Sequence, residues 1–295
     1  SDKPGLALRV LLAIIAVMAI AVPAVVVLRA PPVIPHRHLR LPPARVVPKA
    51  ELPPVEPVAL ADMSMDEARA FNASIPFVGG PYAAARPFVF AGSSEQRARA
   101  IDCLAVAMLY EAGDDALGQR AVAQVIVNRA RHPAFPKTIC GVVFQGSERS
   151  TGCQFSFTCD NAMNRHHFAD AAWVRARALA AMVLNGAVFR PVGYATHYHT
   201  DWVVPYWQAS LDKIAAVHTH LFFRWTGWWG TPAAFAHGIS SDEPVIPALA
   251  QYSDAHKDAL PLTEAAIATA TTTAVTGSVS PLAGGDNNSF LMTLD

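Results

Sequence analysis

Apolar positions run without a break in one part of this chain and recur at helical spacing in another. Val10 to Leu28 is a continuous apolar run of 19 residues. As a helix rising about 1.5 Å per residue it would extend about 28 Å, close to the apolar thickness of a bilayer. Further on, Ile101, Leu104, Ala105, Met108 and Ala112 share one helical face. Leu117, Ala121, Val122, Val125 and Ile126 form a second stripe, with Asp114 or Asp115 as its N-cap. A third runs through Trp173, Leu179, Met182 and Val183 and stops at Gly186. Between the second and third, Gln154-Phe155-Ser156-Phe157-Thr158 alternates as a short strand does, bracketed by Cys153 and Cys159. A short helix is expected near Ser64–Phe71. The pattern predicts an α+β fold, mostly α, with a small β region over residues 95–225, preceded by one transmembrane helix.

Composition adds the connections. Residues 31–58 hold nine prolines, a stiff polyproline spacer of at most ~85 Å at ~3.1 Å per residue. Residues 29–94 are therefore read as linker and lead-in. The stretch 226–295 is rich in Ala, Thr and Pro and is expected to be mostly disordered, with too little apolar area to offset chain entropy. Basic and acidic residues balance at 23 each, which argues against a nucleic-acid partner held by a positive field.

The run in residues 1–28, helical over about 6–28, exceeds the ~7–15 apolar residues of a signal core, and no small-x-small cleavage site follows it. A retained membrane anchor is expected. Arg29, Arg37, Arg40, Arg45 and Lys49 follow the run against Lys3 and Arg9 before it, and by the positive-inside rule alone the long C-terminal part would be cytoplasmic. The four cysteines, all between 103 and 159, read instead as two disulfides in an oxidising compartment. That favours an inner-membrane anchor with its domain in the periplasm.

Among chemically capable residues Glu111 is the most informative. It lies at the edge of a buried stripe and at a helix C-terminus, where burial and carbonyl dipoles both disfavour its charge. A carboxyl kept protonated near neutral pH is what glycoside cleavage needs as an acid. Asn128, on an apolar face, would pin a loop or a substrate amide. In Gly193 to Trp202, an extended chain puts Tyr194, Thr196 and Tyr198 on one side and His197, His199 and Asp201 on the other. Aromatic faces there would stack on sugars; the rival reading of the His-x-His is zinc, as in a metal-dependent amidase or endopeptidase. If Cys153 closes a short loop with Cys159, Cys103 pairs with Cys140, the two bonds contributing roughly 2 and 4 kcal/mol at most. The other two pairings stay open.

The ordered string Cys103-Leu104-Ala105, Tyr110-Glu111-Ala112, Gly118-Gln119, Ala121 to Val125, Val127-Asn128-Arg129, Phe135-Pro136, Cys140 to Val143, Cys153 to Phe157, Ala195 to His199 and His220 to Arg224 resembles the SleB-type cell wall hydrolases. Upstream, Phe71 to Phe77 looks like the lead-in of their proteobacterial branch. The resemblance covers about residues 70–225. It implies a lysozyme-like, α-rich fold, no cofactor, and cleavage of the bond between N-acetylmuramic acid and N-acetylglucosamine, with Glu111 catalytic. The matched motifs give a candidate substrate-binding set of Tyr110, Asn128, Gln154, Phe155, Ser156, Thr196, His197, Tyr198 and His199. Lacking a second nucleophilic carboxylate, the pattern favours lytic transglycosylation. The partners expected are peptidoglycan and the inner membrane. The sequence departs from the family where Glu111-Ala112-Gly113-Asp114-Asp115 replaces Glu-Ala-Arg-Gly-Glu, where His218 replaces a Gly, and where Phe223 replaces a Tyr. Those changes leave open a weakly active, anchored subunit of a larger membrane protein complex.

Overall fold

A serine opens each of two helices by the same reciprocal device. Ser64 caps Met65–Ser74 and Ser93 caps Ser94–Ala112; each hydroxyl accepts the backbone N–H three residues on, while Glu67 or Gln96 reaches back to the cap's own N–H. The computed structural model describes residues 5–29, 41, 43–55, 59–79, 83–149 and 153–257. Two units divide at Pro42.

The first unit contains helix α1, Leu6–Arg29. Its described side chains, Leu8 to Val22 and Val25, are exposed all round, Ile20 at 75%. Among the described residues no helix is long and apolar enough to cross a membrane. The apolar run expected to span a membrane does form a helix of 24 residues, but the reading of it as a transmembrane span is not supported among the described residues.

The second unit holds α2 (Met65–Ser74), α3 (Ser94–Ala112), α4 (Ala116–Arg131), α5 (Ile139–Val143), α6 (Ala162–Arg165), α7 (Asp170–Val183) and strands β1 (His197–Thr200), β2 (Leu211–Val217) and β3 (His220–Trp225). It is mostly helical α+β, with an antiparallel sheet in the order β1-β3-β2. Helix α3 is the axle of the core. More than a stripe is covered: Cys103 to Leu109 have no exposure, because α4, α5 and α7 pack around it. The small residues Ala100, Ala105 and Ala107 permit that close approach. Asp102, buried in the same helix, is neutralised by Arg177 of α7 at 2.7 Å.

Of the two candidate caps of α4, Asp115 is the one used, accepting from Leu117 and Gly118 N–H at 3.0 Å. Cys103 is bonded to Cys140 and Cys153 to Cys159. The alternating stretch 154–158 is not a strand. Phe155 and Phe157 are buried and Ser156 exposed, as alternation implied, but the Cys153–Cys159 bond holds the two Cα atoms 6.3 Å apart, where six extended steps would span about 20 Å. The chain takes a 3₁₀ turn over Ser156–Thr158 instead.

Both flanks of the expected domain fold as well. In the Pro-rich stretch, Val47 is buried and the Pro48 carbonyl accepts from Trp229 Nε1 at 3.1 Å. In the lead-in, buried Asn72 donates to the Asp201 and Val203 carbonyls at 2.7 and 2.9 Å and accepts from Gln208, while Lys213 donates to the Asn72 and Ile75 carbonyls. The stretch 226–257, read from composition as part of an unfolded tail, is packed: Phe235, Glu243, Leu249 and His256 are buried. Gly230 passes so near Trp225 that a Cβ there would meet its carbonyl oxygen. The rest of that tail, and half of the spacer, lie outside the described residues.

Candidate active site

Glu111 stands in the last turn of α3, before Gly113 ends the helix at φ 58°. Its Oε2 accepts a 2.8 Å hydrogen bond from the hydroxyl of Tyr198 on β1. Among the described residues no hydrogen bond reaches its Oε1. Burial pushes the carboxyl up to about 6, against the downward pull of the Tyr198 bond and the Arg129 charge; the charge of Asp160 adds to the rise. The same burial, together with Glu111, holds the Tyr198 phenol well above its usual range, so Tyr198 remains a donor.

Arg129 stands outside the candidate set drawn from the sequence, yet it is 3% exposed and turned inward. Its Nε donates to the Thr196 carbonyl at 2.6 Å, and its guanidinium lies over the rings of Phe135 and Phe155 at 5.2 and 5.3 Å. With its amide oriented to place oxygen toward Arg129, Gln154 accepts from both terminal nitrogens, at 2.9 and 3.2 Å. Burial lowers Arg129 to about 10, which leaves it charged at neutral pH. Its forward signals were the apolar face of α4, which carries Asn128 as well, and its place in the string Val127-Asn128-Arg129.

The predicted set divides. Tyr198, Gln154, Phe155 and the Thr196 backbone assemble around Glu111 and Arg129. Ser156 is exposed, and its carbonyl accepts from the Cys159 and Asp160 N–H groups, which sets Asp160 on the Glu111 side. Tyr110 stacks on Phe157 at 5.0 Å and meets Phe168 edge-on at 5.1 Å, and its hydroxyl donates to the His166 carbonyl at 2.5 Å. Asn128 is enclosed in the fold: 1% exposed, it donates to the Gly193 and Ala195 carbonyls at 2.9 and 2.8 Å and accepts from Gln124. It fixes the entry to β1, the structural half of its expected role.

His197 and His199 do not line the site either. The two-residue alternation of β1 is as expected, but the histidine side is the core side. His197 sits against Trp207 and Trp225 at 5.1 and 4.9 Å; His199 stacks on Phe223 at 4.9 Å. Burial carries His197 well below its usual range and His199 to about 4, so both rings are neutral. Among the described residues the group placed to hold a metal is Cys103, Cys140 and His256, and its two sulfurs are already bonded to each other. Among the described residues His197, His199 and Asp201 are not brought together as a group that could hold a metal.

Residues 113–223 match the Cell Wall Hydrolase family. Over that span the chain carries a domain similar to the cell wall hydrolases. Glu111 lies two residues ahead of the matched span, so its place in the site rests on its own geometry. Among solved structures, the catalytic domain of the Bacillus cereus SleB protein is similar at 28% identity, over 46% of this chain and 95% of that one, with a TM-score of 0.36. No curated protein matches the chain. Of the departures noted above, Phe223 is buried against His199 on the core side of the sheet. His218 opens the β2–β3 turn at φ 51°, a conformation that favours glycine, and its Nε2 lies 3.2 Å from Asp115 Oδ2.

Proposed function

We propose that this hydrolase domain cleaves the glycan of peptidoglycan, at the bond between N-acetylmuramic acid and N-acetylglucosamine, by lytic transglycosylation. The observation that carries the reading is Glu111, a part-buried carboxyl with one oxygen held by Tyr198, the other unbonded, and a pKa near 6. Near neutral pH such a group is divided between acid and carboxylate, and the mechanism uses both forms in turn. The protonated carboxyl donates to the glycosidic oxygen as the muramic C1–O bond breaks. The muramic C6 hydroxyl then bonds to C1, and its proton returns to the Glu111 carboxylate, giving a 1,6-anhydro product. Tyr198 and charged Arg129 steady that carboxylate between the two steps.

Plain hydrolysis has one observation in its favour. Asp160 is exposed, yet near enough for its charge to act on Glu111, and as a base it would deliver water to C1. Product analysis separates the two. The full chain is incubated with purified peptidoglycan and the fragments are identified by mass spectrometry. Anhydro-muramic ends are expected; reducing muramic ends, abolished in Asp160→Asn, would replace transglycosylation by hydrolysis. Release of free stem peptides with intact glycan would sink both.

We further propose that α1 anchors the chain in the inner membrane with the hydrolase domain on the periplasmic side. The supports are the 19-residue apolar run, the outward-facing apolar side chains of its helix, and two disulfides in the domain.

A further inference from the structure

A cleft of about 390 Å³, within the size range of ligand sites, opens beside the aromatic cluster that packs on Tyr110. One wall is the start of α7, with Asp170, Val174 and Arg177. The other is Gln251 and Tyr252, which lie well beyond residue 223, where the family match ends. The cleft is coupled to the site through aromatic contacts. Phe168 lines it and touches the ring of Tyr110, the residue before Glu111. The Tyr252 hydroxyl donates to the Met163 carbonyl at 3.2 Å and lies 3.3 Å from His167 Nδ1.

Building on the glycan-cleaving reading, we propose that this cleft is an additional saccharide subsite, which holds a sugar of the same glycan strand away from the bond being cut. Its lining suits a pyranose. Phe168 and Tyr252 keep part of their rings exposed and Val174 is 66% exposed, an apolar floor for the C–H face of a sugar. His167, Asp170 and Gln251 stand exposed around it with groups for hydroxyls. The floor is rigid, since Trp173 is held between the Tyr252 ring at 4.7 Å and the Arg177 guanidinium at 5.1 Å. An anionic ligand fits less well. Arg177 already pairs with buried Asp102 and donates to the Tyr252 carbonyl at 2.8 Å, so its charge is spent inside the protein. A neutral sugar is therefore the favoured occupant over the carboxylates of a stem peptide.

The test is calorimetric titration of the full chain carrying Glu111→Gln with peptide-free glycan oligomers, a disaccharide and a hexasaccharide. The hexasaccharide is expected to bind about tenfold more tightly. Asp170→Ala with Gln251→Ala, or Val174→Arg to fill the cleft, should abolish that advantage and leave disaccharide affinity as it was. An advantage that survives both changes, or no advantage at all, overturns the subsite. The two readings fail separately. Length-dependent binding lost in these variants, with no turnover by the unaltered chain, would keep the subsite and sink the cleavage. Glycan turnover with affinities untouched by the variants would do the reverse.

Discussion

Two glutamates sit at opposite kinds of helix end, and both are pushed toward the neutral form. Glu111 is at the C-terminus of α3 with its carboxyl near 6; Glu243 packs on the N-terminus of α5 with its carboxyl near 7. In both, burial is the leading cause. Glu243 accepts from Ile139 and Cys140 N–H at 2.8 Å each, one per oxygen, and has no exposure. Those bonds favour its charge and still lose to burial. Among the described residues Glu111 accepts one hydrogen bond, on Oε2. A raised pKa is thus shared by a structural group and a chemical one, and the unmet valence separates them.

Replacing each by its isosteric amide should break the pair apart most widely. Glu111→Gln removes the transferable proton and should lower the rate on purified peptidoglycan by about 10³-fold, with the thermal midpoint within a few degrees of the parent. Glu243→Gln should leave the rate per folded molecule nearly unchanged while lowering stability, as one of the two N–H groups loses its acceptor, roughly 1–3 kcal/mol. A rate lost equally in both variants would mean that Glu111 acts through the fold.

How far each half of this comparison is legible in sequence follows from where its partners lie. Glu111 could be placed because helical spacing fixes it relative to its own helix. Glu243 could not, since its partners are backbone N–H groups 103 and 104 residues away, and the composition around it suggested an unfolded tail. A few anchors, Phe235 and Leu249 among them, suffice to pack that stretch. Along β1 the alternation was readable but its polarity was not. Which side faces the core is decided by Trp207, Phe223 and Trp225, and these turned two apparent sugar or metal ligands into core histidines. Arg129 was hidden because a guanidinium between two rings, bonded to a carbonyl of a distant strand, leaves no local pattern.

The second way to sharpen the comparison is pH. A carboxyl raised from 4.5 to about 7 in the folded state contributes stability that is fully present below its unfolded value near 4.5 and is lost as pH rises through 7. For Glu243 that amounts to roughly 3 kcal/mol between pH 4.5 and 8. Denaturant midpoints of the parent and Glu243→Gln, compared across this range, should therefore converge as pH rises. Buried histidines such as His132 act in the opposite sense, so the difference between the two proteins is the quantity to follow. A difference constant with pH would mean that Glu243 is already ionised when folded.

The smallest effect tests the one bond that Glu111 does make. Loss of activity with rising pH should follow its deprotonation, near 6. The Tyr198 hydroxyl favours the carboxylate and so holds that value down. Tyr198→Phe removes this pull and leaves burial in place, so Glu111 should stay protonated to higher pH. The falling limb of kcat/KM should move upward, by about half a unit to one unit for a bond of about 1 kcal/mol. At pH 5, where the acid form already dominates, the variant should be slower than the parent, because the carboxylate that receives the C6 proton has lost its donor. A limb that moves to lower pH would reverse the assigned direction of this hydrogen bond. An unmoved limb would assign the titration to another group, leaving Glu111 distinguished from Glu243 by its unbonded oxygen alone.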